Sequence, residues 1–498
     1  MKKATPSVQK LPSLGLSLVP VLALISLLAA DVIAFGEDSS YGANQIAMLL
    51  AALVAGGIGM IQGTKWEAMS KAMSNSVAQT TEALLILLMI GALSGTWLLA
   101  GIIPAFIHYG LQVLEPGIFL FAACIICGVL SLATGSSWGT VGTIGIALIG
   151  IGTALGLSPG WIAGAIISGA YFGDKMSPLS DTTNIAATVG GTDLFTHIRY
   201  MTITTVPSLV IALLVFLVVG FGGAAADGNF EASFASELGN AVFGTFNIHA
   251  GLFIAPIAVL VMITKKVPAA AALFIGAILG ALTAIIFQPN LIMTLSTLGE
   301  GASFAMMAFQ TSIQAMALDT QIITGSELAD ALLNSSGMAG MLNTVWLILC
   351  ATIFGSIMQA TGMLQSITNA ILKGVGTTFS LVARSVGTCL AFNVLASDQY
   401  LAIIVPGNML KDAYEEQGLA PENLSRTLED SGTVTSVLIP WNTCGVAQSG
   451  ILGISTWTYL PYCIFNWISP IMTLIVAATG FKIRSLTEAK KAIPTVSH

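Results

Sequence analysis

The chain has 498 residues, 55% of them hydrophobic and only 8% charged, with a mean hydropathy of +0.88. Soluble domains carry roughly 25% charged residues, so this composition excludes a water-soluble globular protein and defines a polytopic membrane protein. A net charge of −7 from few charged residues, with no basic stripe, gives no sign of a nucleic-acid partner.

The first ten residues carry Lys2, Lys3 and Lys10. The apolar run 11–35 behind them exceeds the hydrophobic region of a cleaved signal and reads as an uncleaved first span. Positive charge in front of it predicts a cytoplasmic N-terminus, with the acidic link 36–41 outside. The run 43–61 returns to Lys65 and Lys71 on the inside, and a third span over 82–103 leads out again. An apolar run over 117–133 then breaks at TGSSWGT, residues 134–140, and resumes over 141–157. At membrane depth a break leaves backbone groups that lipid cannot satisfy, so it survives only inside protein or beside water. Its carbonyls and hydroxyls are hard oxygen donors of the kind small cations accept. The alternative is a kinked helix whose serines bond back to their own backbone.

After an apolar stretch over 161–172 comes YFGDKMSPLSDTTN, residues 171–184, with Asp174, Lys175 and Asp181 among serines, threonines, an asparagine and a proline. Ionisable residues beside membrane-spanning sequence mark an ion or substrate pathway unless they pair. Asp174 beside Lys175 also reads as an ion pair, and Asp181 as a helix N-cap. A span over 201–221 exits into an acidic link containing Asp227, Glu231 and Glu237. Spans over 249–263 and 268–287 follow, flanking Lys265 and Lys266. From 291 to 341 the pattern weakens, and whether 302–318 spans or lies at the surface stays open. A span over 345–360, another ending near Leu395 and a last one over 457–481 lead to a basic tail. Glu429 and Asp430, in the polar stretch 411–431, read as solvated. The six cysteines lie in or beside apolar runs and read as structural thiols. Glycines at GxxxG spacing, Gly169/Gly173 among them, allow close helix packing.

The two halves share a spacing. LSPGW at Leu157 and LAPEN at Leu419 stand 262 residues apart, as do Pro178 and Pro440, Trp138 and Tyr400, and Ser136 and Asp398. Span 201–221 exits into an acidic link and its counterpart 457–481 into a basic tail, as an inverted repeat requires. The expected fold is all-α and polytopic, roughly 11 to 13 spans in two inverted repeats with broken helices or re-entrant hairpins at the site. Its expected divisions are N-terminal spans (1–76), a first transport repeat (77–222), an external acidic linker (223–245), connecting and scaffold spans (246–340), a second transport repeat (341–481) and a cytoplasmic tail (482–498).

The runs GSSWGT and GAYFGDKMSPLSDTTN, with LASDQY and IPWNTCG in the second half, resemble the NhaC family of Na+/H+ antiporters within the broad ion-transporter superfamily. The resemblance extends from roughly residue 95 to 481 and is most specific at SPLSDTTN. It implies Na+ or Li+ efflux driven by proton entry, in the cell membrane of a prokaryote. The same family includes exchangers of malate and lactate and carriers of amino acids. By the family pattern the ion-binding oxygens come from Thr134, Ser136, Ser137, Asp174, Ser177, Asp181, Thr182, Asn184, Asp398, Asn442 and Thr443, with Na+ on Asp181, Thr182, Asn184 and Asp398. The expected partners are Na+, H+ and small organic acids, with a homodimer as the assembly and no cofactor.

Independently of family, a buried carboxylate is costly unless a proton or a bound cation neutralises it. If the two compete for Asp181 or Asp398 and the empty charged carrier cannot reorient, exchange results. A membrane serine hydrolase is the competing class, because GSSWG at Gly135 has the GxSxG form of a nucleophile elbow. That motif needs a strand before it and a histidine base. Neither is evident, and without a phosphate-binding loop ATP drive is not expected either.

Overall fold

The computed structural model describes residues 11–35, 42–225, 241–299, 301–325, 330, 333–373 and 376–487. The N-terminal lysines, the link 36–41, Asp227, Glu231, Glu237, Glu300, Glu327, Lys490 and Lys491 lie outside the described residues, and with them the topology read from their charges. Among the described residues the fold is helical apart from a two-residue ribbon, Thr320–Gln321 against Asn334–Ser335.

The first helices are α1 (Leu14–Phe35), α2 (Ala43–Ile61), α3 (Trp66–Leu99) and α4 (Ile102–Val113). At 34 residues α3 is about 50 Å long. It begins well before the apolar run that marks the third span, because its first turns are polar helix formers that pattern alone does not assign to a span. Next come α5 (Pro116–Thr134), the four-residue α6 (Ser137–Thr140), a π-helical turn (Val141–Gly145), α7 (Ile146–Ala154), α8 (Pro159–Met176), α9 (Asp181–Gly190) and α10 (Leu194–Phe221). Connecting helices are α11 (Ile254–Thr264), α12 (Ala269–Phe287), α13 (Pro289–Leu295) and α14 (Phe304–Ala317). With 14 residues α14 reaches about 21 Å, too short to span alone.

The second half runs α15 (Gly337–Ala360), α16 (Met363–Leu372), α17 (Thr378–Leu395), α18 (Gln399–Glu416), α19 (Pro421–Leu428), a π-helical turn (Glu429–Thr433), α20 (Thr443–Leu452), α21 (Thr456–Tyr459) and α22 (Ile464–Thr479). The starts of α5, α6, α8, α9 and α10 and those of α17, α18, α19, α20 and α21 are each 262 residues apart. The break itself repeats: Gly135 at φ 72° and Ser397 at φ 58° hold the same left-handed turn. Glycine adopts that turn without strain and serine does not, so Ser397 needs support from its surroundings. It receives some from the Thr443 N–H, which donates to the Ser397 carbonyl at 2.9 Å.

Nine described helices are long and apolar enough to cross a membrane, and the pair Thr456–Tyr462 and Ile464–Thr479, bent by 53°, makes a tenth as one broken span. In the first half α5 packs along α8. A Cβ at Gly169 or Gly173 would meet the carbonyls of Cys124 and Gly128, so this contact admits only glycine. All six cysteines are free and buried.

Candidate ion-coupling site

The break between α5 and α6 places Ser136 as N-cap, its Oγ accepting the Gly139 N–H at 3.0 Å. One residue on, Ser137 turns inward and donates to Asp174 Oδ2 twice, from its N–H at 3.1 Å and its Oγ at 2.7 Å. The α6 N-terminus thus solvates a buried carboxylate with a backbone dipole and a hydroxyl. Thr134, also buried, lies 3.5 Å from the Thr140 hydroxyl.

Asp174 does not pair with its neighbour. Lys175 crosses to the second half and pairs with Asp430, also donating to Ser469 Oγ at 3.1 Å. Both side chains are fully buried, and Thr204 (2.7 Å), Ser469 (3.2 Å) and Thr473 complete the donors to Asp430. A pair so removed from water holds only because its remaining lone pairs and protons are bonded. The adjacent-residue ion pair is overturned for a geometric reason: consecutive residues on a helix point about 100° apart.

Glu429 is fully buried as well, and its Oε1 accepts the Thr182 hydroxyl at 3.1 Å while Oε2 has no partner. The expectation that Glu429 and Asp430 are solvated is therefore wrong. The residues from 422 to 438 are buried throughout because α19 and its π-helical turn form the second-half counterpart of α8. The two π-helical turns interrupt regular hydrogen bonding beside the charged groups, as such turns often do at functional sites.

The tip after α8 is held by its own hydroxyls. Ser177 is buried and accepts the Leu179 N–H at 3.2 Å. Ser180, not Asp181, caps α9, so the capping reading of Asp181 moves back by one residue. Asp181 occupies the first turn with an exposed side chain. Thr182 points inward to Glu429, while Asn184 is exposed and donates to the Pro178 and Ser180 carbonyls at 3.1 and 2.7 Å.

In the second half Asp398 is half-buried and caps α18, its Oδ1 accepting the Leu401 N–H at 2.9 Å. Leu401 also lines a cleft of about 400 Å³ with Lys71, Asn75, Gln79 and Gln359. Asn442 caps α20 through Cys444 N–H at 3.0 Å and donates to the Asn393 carbonyl at 3.0 Å. Thr443 is buried, with its hydroxyl 3.4 Å from Asn442 Oδ1.

Of the residues expected from sequence, Ser137, Asp174 and Thr182 thus gather around buried carboxylates. Asp181 and Asn184 face outward. Glu429, Asp430 and Arg426 went unrecognised because the polar stretch around them hides a buried helix and its π-helical turn. The signal was present in the spacing, since 262 residues before Glu429 stands Ile167, in the middle of an apolar helix. Ser137, the serine of GSSWG, follows a helix rather than a strand and gives its hydroxyl to Asp174, so it lacks the setting of a hydrolase nucleophile.

Membrane-length helices, broken at matching places beside buried carboxylates, define the class of a secondary transporter. The family model for the Na+/H+ antiporter family matches residues 169–481. The malate-2H(+)/Na(+)-lactate antiporter of Bacillus subtilis is 35% identical over 438 residues, covering 88% of this chain and 89% of its own. NhaC of Alkalihalophilus pseudofirmus is 32% identical, with 88% and 90% covered, and the arginine/ornithine antiporter ArcD of Halobacterium salinarum is 33% identical, with 95% and 94% covered. The chain belongs to the NhaC-type Na+/H+ antiporter family. It is a multi-pass membrane protein.

Proposed function

We propose that the protein exchanges Na+ or Li+ for protons across the cell membrane by competition of the two ions at the buried carboxylates Asp174 and Glu429. The observation that carries this reading is the pair itself: two carboxylates from different halves, both withdrawn from water, with Glu429 Oε2 unpartnered, the Thr182 hydroxyl on Oε1 and the Ser137 hydroxyl on Asp174 Oδ2. A carboxylate in that setting needs a proton or a cation, and the hydroxyl oxygens beside it suit Na+. Thr134, Ser136, Ser177, Asn442 and Thr443 shape the broken tips, and Asp398 caps α18 at the break of the second half. Asp181 and Asn184 act at the outer edge of the first tip. Exchange follows if the carrier reorients only when this charge is neutralised. The two repeats are inverted in this reading, with both termini in the cytoplasm.

Everted vesicles containing the protein should dequench a pH probe when Na+ or Li+ is added. A coupled organic substrate is the second reading, favoured by relatives named for malate, lactate, arginine and ornithine. Dequenching that appears only with malate, lactate or an amino acid present would replace the first reading with the second. No ion-dependent proton flux under either condition would refute both.

A further inference from the structure

Arg426 is the largest fully buried side chain of the described residues. Its Cζ stands 4.6 Å from the centre of the Tyr200 ring, and none of Nε, Nη1 and Nη2 has a hydrogen-bond partner. A buried cation without an acceptor demands an explanation. Glu422, one turn earlier on α19, bonds instead to Arg484 at 2.8 Å. Asp430 is taken by Lys175. From α10, His197 shares its Nδ1 with Ser425 Oγ at 2.8 Å, and from α18 the Tyr414 hydroxyl bonds Ser385 at 3.1 Å, so neither supplies an anion.

The buried charges can therefore be counted. Among the described residues, once Lys175 with Asp430 and Arg484 with Glu422 are set aside, Arg426, Asp174 and Glu429 remain of the buried charges. Asp398 is half-buried and Asp181 exposed, so neither belongs to this buried set. A guanidinium keeps its proton throughout the physiological range, so Arg426 is a fixed positive charge. Two carboxylates against one fixed cation leave a single negative charge. One monovalent cation or one proton neutralises it.

We propose that Arg426 sets the ion count of the exchange, acting as a built-in cation that leaves room for only one transported cation at the Asp174/Glu429 site. The inference rests on the antiport reading above and deepens it. Without the guanidinium, two negative charges remain, and at alkaline pH, where neither carboxylate holds a proton, two Na+ ions are needed for the same neutrality. Arg426 touches no ion in this scheme; it acts on the site through its charge. Stacking on Tyr200 alone would give it no influence on how many ions bind.

The test uses purified protein in detergent and follows thermal stabilisation as a function of Na+ concentration at alkaline pH, a readout that needs no transport. Relative to the unaltered protein, R426Q should raise the Hill coefficient for Na+ by about one. R426Q/E429Q, which removes one charge of each sign, should return it to the original value. Unchanged steepness in R426Q overturns the inference. If R426Q does not fold, recovery of folding in R426Q/E429Q supports the charge count, whereas equal failure of both shows that Arg426 supplies packing and overturns it. A lack of Na+-driven proton flux in the unaltered protein would instead sink the antiport reading, so the two failures are told apart.

Discussion

The region from α5 to α9 and the region from α17 to α20 share one backbone plan and carry different chemistry. Helix starts agree at an offset of 262, down to the left-handed turn at Gly135 and Ser397. Yet where the second half has Glu429 and Asp430 the first has Ile167 and Ser168, and where the first has Asp174 and Lys175 the second has Ser436 and Val437. Each half alone would bury charges without partners. Only together do they form the Lys175–Asp430 pair and the Thr182 bond to Glu429. The repeat supplies two breaks, and the divergence of side chains divides one site between them.

Breaking the bond between halves should have the largest effect. Lys175→Met or Asp430→Asn strands the partner's charge in the interior, a loss of about 3 to 5 kcal/mol. Thermal unfolding in detergent should show each single variant far less stable than K175M/D430N, in which neither charge remains. Equal stability of all three would mean that the two regions are held together by apolar packing alone.

The coupling role comes next. Glu429→Gln keeps the shape and much of the hydrogen bonding but cannot exchange a proton for a cation, so Na+-dependent dequenching should vanish while the protein still inserts. Asp181→Asn should keep most of the flux, because the Asp181 side chain is exposed. The reverse order in a vesicle assay at matched abundance would move the coupling from the buried Glu429 to the edge of the first tip.

Helix packing gives a sharper, smaller contrast. Gly169 stands where the second half has Ser431, whose hydroxyl bonds the Thr427 carbonyl. Gly169→Ser would press a side chain into the Cys124 carbonyl, at about 1 to 3 kcal/mol, whereas Ser431→Gly should cost about 1 kcal/mol. Similar melting temperatures for the two would show that α5 and α8 can move apart.

The smallest effect lies at the helix caps. Asp193 caps α10 by accepting the Thr196 N–H at 3.0 Å, whereas its counterpart Ser455 makes no side-chain cap bond. Hydrogen bonds from Thr196 hold the Asp193 carboxyl below its ordinary value. A carboxyl shifted down stabilises the fold above its unfolded value, and that contribution fades as pH falls through the folded one. Asp193→Ala should thus cost about 1 kcal/mol near neutrality and little in strong acid, while Ser455→Ala should show no such pH dependence. Parallel stability curves for the two variants would refute the difference between the caps.

Sequence alone determined that this is a helical membrane protein, where most spans lie, and that two breaks recur at a fixed spacing, because hydropathy and glycine placement act locally along the chain. It also singled out Asp174, Ser137 and Thr182. Tertiary structure decided the partners. Hydropathy averages over a window, so it reads RTLED at 426–430 as solvated, although α19 carries those charges into the interior. Adjacency in sequence suggested that Asp174 pairs with Lys175, but helical rotation sends Lys175 across to Asp430. Which charges are neutralised depends on groups more than two hundred residues apart, and only the packing of the two halves fixes that distance.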